Sequence, residues 1–133
     1  MAIFNVEEVR NAPLNNVVDA GVYLVKILKA ESTASKQKHT PEIAFEYEIE
    51  AADQEQIDGR MVEGKHLFDH IYFPVGKPNT VANATLKKLA KAAEVEIDDD
   101  LLESLVGREM KITIKHEMYQ GEPQERVAAY AKA

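Results

Sequence analysis

The cleanest pattern along the chain opens at Pro41. Ile43, Phe45, Tyr47 and Ile49 fall on one side of an alternation and Glu42, Ala44, Glu46, Glu48 and Glu50 on the other, which predicts a strand with one buried face. Upstream, Val22 to Ala30 is almost continuously apolar or β-branched, the pattern of a strand buried on both sides for part of its length. The two are expected to pair as an antiparallel hairpin. The segment between them, Glu31 to Thr40, is polar without an apolar anchor and reads as a mobile loop. A third alternation spans Lys65 to Phe73, after a long polar connection punctuated by Asp58-Gly59 and Glu63-Gly64. Pro74 and Gly76-Lys77-Pro78 end it.

The period then becomes helical. Ala82, Leu86, Leu89, Ala90 and Ala93 form one apolar stripe behind Asn79 or Thr80 as cap, with Lys87, Lys88 and Lys91 pointing away. Asp98, Asp99 and Asp100 precede a second, shorter helix, where the helix dipole favours negative charge. Leu101, Leu102, Leu105 and Val106 give that helix an apolar face, and Gly107 is placed to cap it. From Arg108 the period returns to two: Met110, Ile112 and Ile114 alternate with Lys111, Thr113 and Lys115. Gln120-Gly121-Glu122 then turns the chain into a last strand, Arg126 to Tyr130. Residues 1–20, with Pro13 and Asn15-Asn16 as breakers, read as a short lead-in. The order is β-β-β-α-α-β-β, a mainly β chain. It predicts a five-stranded OB-type Greek-key barrel over 21–130 with helices inserted between strands 3 and 4. A two-layer α+β sandwich is the alternative.

At 133 residues the chain is expected to form one domain with a core of its own. It has no cysteine, which excludes disulfides, thiolate metal sites and cysteine nucleophiles. No signal peptide or membrane-spanning run is read, and a cytoplasmic location is expected. The net charge of −7 lowers the expectation of a non-specific polyanion binder, although lysines and glutamates cluster in different segments.

Several segments together resemble the OB-fold single-stranded-DNA-binding proteins encoded by tailed bacteriophages. They are the hydrophobic hairpin, the helix Leu86-Lys87-Lys88-Leu89-Ala90-Lys91, the strand entry Leu105-Val106-Gly107-Arg108-Glu109-Met110, and the turn and exit from Tyr119-Gln120-Gly121 to Tyr130. The resemblance covers roughly residues 20–130. It implies a protein of phage DNA replication or recombination that coats single strands with little sequence preference in the bacterial host cytoplasm. Replication or recombination proteins are its implied partners. The acidic tail with which many such proteins recruit partners has no counterpart in Val127 to Ala133.

Single-strand binding needs flat side chains for the bases and cations for the phosphates. If Leu67, Ile71 and Phe73 point inward, His66, Phe68, His70 and Tyr72 form one outward row with Lys65 at its edge. The opposite phase would bury Phe68 and Tyr72 and expose Asp69, which is awkward in a core; the sequence leaves both open. Lys36, Lys38 and His39 lie in one of the two loops that OB-folds use to grip ligands, and Tyr119 at the tip of the other. Lys111 and Lys115 could contact phosphate or pair with glutamates across the sheet. The helix lysines Lys87, Lys88 and Lys91 read as an ordinary solvated face. His66 and His70, four residues apart on a strand, lie about 13 Å apart, too far to share a metal. No enzyme motif is found and no cofactor is expected. The rival expectation is a protein-interaction or virion structural module on the same barrel. The aromatic row could equally serve as a homodimer contact, and the absence of tryptophan argues against a carbohydrate ligand.

Overall fold

A computed structural model describes residues 3–11, 17–34, 40–57, 59 and 61–133. A short helix, α1 (Val6–Asn11), precedes the strands β1 (Gly21–Ala34), β2 (Pro41–Ala52) and β3 (His66–Tyr72). The helices α2 (Thr80–Ala92) and α3 (Leu101–Leu105) follow, then β4 (Glu109–Tyr119) and β5 (Glu122–Lys132). Among the described residues, no helix is long and apolar enough to cross a membrane.

All strand pairs in the single sheet are antiparallel, in the order β3-β2-β1-β4-β5. β1 is the hub. Its first residues, Gly21 to Lys26, pair with β4, while Tyr23 to Ala34 pair with β2. Register shifts between Leu24 and Val25 and between Ile27 and Lys29 let one strand serve both partners, because a bulge bends and twists the strand that carries it. Tyr23, Val25 and Ile27 are fully buried whereas Val22, Leu24 and Leu28 are only half-buried. The two-sided burial expected for this strand is therefore incomplete. β1 and β5 also run longer than their apolar stretches, since polar residues such as Glu31 and Glu122 are carried in the ladders.

The sheet ends, β3 and β5, share no backbone ladder. They are joined by side chains: the Tyr130 hydroxyl donates to Asp69 Oδ2 at 2.6 Å, and Lys65 Nζ lies 3.5 Å from Glu125 Oε1. Residues 65 and 69 meet 125 and 130 in the same order, so the two strands run parallel and the sheet curls into a barrel. This is the OB-type Greek key with helices between β3 and β4. α2 packs against β3 and β5 through Ala82, Leu89 and Ala90.

The inward residues of the strands form one core with Leu89, Leu101 and Leu105. Burying apolar surface stabilises by about 25 cal/mol per Å², which explains why the alternations in β2, β3 and β4 map so directly onto the core. Three local expectations fail. Glu42, assigned to the outer face of β2, is 7% exposed, and His70 Nδ1 lies 3.4 Å from its carboxylate. Val106 leaves helical geometry (φ −62°, ψ 128°) and is exposed. Gly107, at φ 88°, follows it and sends its N–H to Ile27 O at 2.7 Å, tying the end of α3 to the hub strand. Asn79 stands at the N-cap of α2 without a side-chain capping bond.

The polar connection after β2 is anchored. Gln56, 7% exposed, accepts from Asp19 N–H at 3.1 Å and donates to the Tyr23 hydroxyl at 2.9 Å. Tyr23 in turn donates to Asp19 O at 2.6 Å. Gln54 accepts from Val22 N–H at 3.0 Å, so two glutamines of the polar linker satisfy groups at one end of the barrel.

Candidate functional site

The phase of β3 decides what the barrel offers to solvent. Leu67 and Ile71 are 3% and 4% exposed, while Phe68 and Tyr72 are 64% and 50% exposed. His66 and His70 are exposed with them. Phe68, which could have been core, therefore lies on the surface, and Asp69 points inward. A carboxylate can occupy that position because three donors meet it. Oδ2 accepts the hydroxyls of Tyr47 at 2.9 Å and Tyr130 at 2.6 Å, and Oδ1 accepts the N–H of His70 at 2.9 Å. Burial still pushes the Asp69 carboxyl above its ordinary range, with the tyrosine bonds acting against that shift. Burial, together with the Asp69 charge, likewise raises the hydroxyls of Tyr47 and Tyr130 well above theirs.

On the outer face, β2 supplies a row of carboxylates beside the β3 rings. Glu48, Glu46, Ala44 and Glu42 stand directly across from His66, Phe68, His70 and Tyr72. His66 lies 3.3 Å from Glu46 by Nδ1 and 3.6 Å from Glu48 by Nε2. The His70 and Tyr72 rings stack with centroids 6.0 Å apart and planes 17° apart. Each imidazole thus touches a β2 carboxylate, and Tyr72 is stacked against a ring on one side. This face is aromatic along β3 and acidic along β2.

On the other side of β3 lies a groove of about 580 Å³. Phe68, His70 and Tyr72 line it on the β3 side, Arg126 to Tyr130 on the β5 side, and Thr85 and Lys88 reach it from α2. The Asp69–Tyr130 bond lies at its floor. Glu117 and Glu125 line it as well, Glu125 already paired with Lys65. Among the described residues, no three His, Asp or Glu side chains are grouped as metal ligands.

The profile of the DUF669 family, proteins of unknown function, matches residues 4–133. The chain belongs to that family. No curated protein matches it.

The residues singled out in the sequence of this DUF669 chain separate into groups. His66, Phe68, His70 and Tyr72 come together as one exposed row. Tyr119 is 58% exposed at the tip of the β4–β5 turn, where Gln120 and Gly121 both adopt positive φ (52° and 82°). Lys65 is engaged with Glu125 across the seam, and Lys111 lies 3.6 Å from Asp53. Lys115 is exposed. Lys36, Lys38 and His39 fall outside the described residues. Two cations that the pattern did not select, Arg126 and Lys88, reach the groove. Arg126 is singled out by its place on the groove wall formed by β5, and Lys88 by its reach into the groove from a helix face that reads as solvated.

Proposed function

We propose that this protein binds single-stranded DNA with little sequence preference, as an accessory of phage DNA replication or recombination in the host cytoplasm. The observation that carries the reading is the exposed ring row of β3, braced by imidazole–carboxylate contacts and open to a groove. Bases have flat faces whatever their identity, and each base stacked on an aromatic side chain contributes about 1–3 kcal/mol. A row of rings therefore favours unpaired bases and cannot use those hidden inside a duplex. Tyr119, exposed at the tip of the β4–β5 turn, offers a further ring. No residue here carries out a covalent step; the action is binding alone.

The carboxylates of β2 refine the reading. Glu46 and Glu48 beside the row repel phosphates, so the backbone of a bound strand keeps away from β2. A titration of labelled oligo-dT against matched duplex, repeated over a salt series, tests the proposal. Single-strand preference is expected, with log K falling by about 0.7 per phosphate neutralised. Equal affinity for the two forms, or none at low salt, would defeat it.

The acidic flank also favours a second reading, a protein-interaction module in which exposed Phe68 and Tyr72 enter a partner's apolar pocket and the glutamates meet its cations. A stable complex with a basic protein partner, without oligonucleotide affinity, would select that reading.

A further inference from the structure

We infer that the phosphates of a bound strand follow the β5 wall of the groove, held by Arg126 and Lys88, while the bases rest on Phe68 and Tyr72 of β3. This rests on the single-strand reading above and assigns its electrostatic half to residues on β5 and α2.

Three observations lead there. The first is repulsion from the other side: the β3 row is bordered along β2 by Glu46 and Glu48, so a backbone lying over β2 would set phosphate against carboxylate. The second is where uncommitted cations lie. Lys65, Lys111, Lys132 and Lys29 are each engaged with a carboxylate at 3.5–3.7 Å. Lys26, Lys77, Lys87, Lys88, Lys91, Arg108, Lys115 and Arg126 form no ion pair among the described residues, and of these Arg126 and Lys88 line the groove that the ring row opens onto. The third is a like-charge contact. Lys115 and Arg126 stand directly opposite each other across β4 and β5, both exposed. Like charges in that relation destabilise a sheet, and an anion placed beside both removes the penalty. Glu117, on the same face two residues from Lys115, and Glu125 temper the positive potential of the groove. Glu125 has one oxygen satisfied by Lys65.

The guanidinium is suited to the task, because its planar donor fork can hold a phosphate by two parallel bonds. Lys88, at the α2 end of the groove, supplies a point charge. Neither contact reads base identity, in keeping with sequence-tolerant binding.

The test uses the full chain and fluorescence anisotropy with labelled oligo-dT over a salt series. Arg126→Gln/Lys88→Gln is compared with Lys26→Gln/Lys29→Gln on the β1 side of the glutamates, and with Phe68→Ala. The first pair is expected to lose at least about tenfold in affinity at low salt and to flatten the slope of log K against log salt by about 1.4, two contacts at 0.7 each. The second pair should behave as wild type. Circular dichroism melts confirm folding, and Lys88→Gln alone, at an exposed helix position, serves if Arg126→Gln disturbs β5. If Phe68→Ala weakens binding but Arg126→Gln/Lys88→Gln does not, the phosphate track is overturned and the single-strand reading stands. Equal losses in the two pairs also overturn the track. No binding by the wild type overturns both.

Discussion

Tyr130, near the end of β5, donates its hydroxyl to Asp69, in the middle of β3, at 2.6 Å. These strands are the two ends of the sheet order, so one side-chain bond spans the gap that a ladder would otherwise close. Tyr47 donates to the same oxygen from β2. The arrangement fixes the phase of β3, because Asp69 facing its two tyrosines places Phe68 and Tyr72 outside. The groove and the ring row follow from the same contact.

Tyr130→Phe should lower stability by about 1.5–3 kcal/mol, the range for a hydrogen bond to a charged acceptor, while Tyr47 continues to bond Asp69. Urea unfolding measures it; a loss below about 0.5 kcal/mol would mean that the seam is held by packing instead.

The raised Asp69 carboxyl gives a signed pH dependence. A carboxyl whose folded-state pKa lies above its unfolded value binds its proton more tightly when folded. Its contribution is therefore fully present below the ordinary value of 3.8 and is lost as pH rises through the raised value. Asp69→Asn lacks this dependence. The stability of Asp69→Asn relative to wild type should thus improve as pH rises above the ordinary value of 3.8 and level off above the raised one, as read by denaturant melts at several pH values. A constant difference between the two proteins would contradict it.

Tyr47 and Tyr130 resist ionisation by burial and by the Asp69 charge. Stability from these raised hydroxyls is intact below the ordinary value of 10.0 and is lost above it. In an alkaline titration followed by phenolate absorbance, these two of the five tyrosines should ionise only together with unfolding.

Phe68→Ala and Tyr72→Ala should each weaken oligo-dT binding by roughly 1–3 kcal/mol. Phe68→Ala, at a mostly exposed ring, should change folding stability by no more than about 0.5 kcal/mol. Anisotropy titration and thermal melts on the same samples separate the two effects. A large fall in melting temperature for Phe68→Ala would show that its ring belongs to the core.

Gly21 has φ 155°, and a Cβ there would lie 2.3 Å from the Gln54 carboxamide carbon. That carboxamide accepts the N–H of Val22 at 3.0 Å and holds the start of β1. Gly21→Ala should cost about 1–3 kcal/mol, as overpacking does. Adding Gln54→Ala removes the clash, so the double variant should be less destabilised than the sum of the singles.

Much of the barrel is legible in the residues themselves. Ile43 to Ile49, Met110 to Ile114 and the Ala82–Ala93 stripe each carry one period, and burial of one face follows directly from it. The double duty of β1 is less visible, since its bulges arise from satisfying β2 and β4 at once. Nothing local marks Arg126; its position on the β5 wall of the groove comes from the tertiary fold.

β3 marks the boundary. Its sequence determines that it is a strand, because Leu67 and Ile71 alternate with Phe68 and Tyr72 at a period of two. Both faces carry large apolar side chains, so local pattern weighs them almost equally, and Asp69 tilts the choice toward the wrong side. The tertiary structure decides the matter by bringing Tyr47 from β2 and Tyr130 from β5 to one carboxylate oxygen. A buried carboxylate is tolerable only with such partners, and these lie 22 and 61 residues away, beyond the reach of any local pattern.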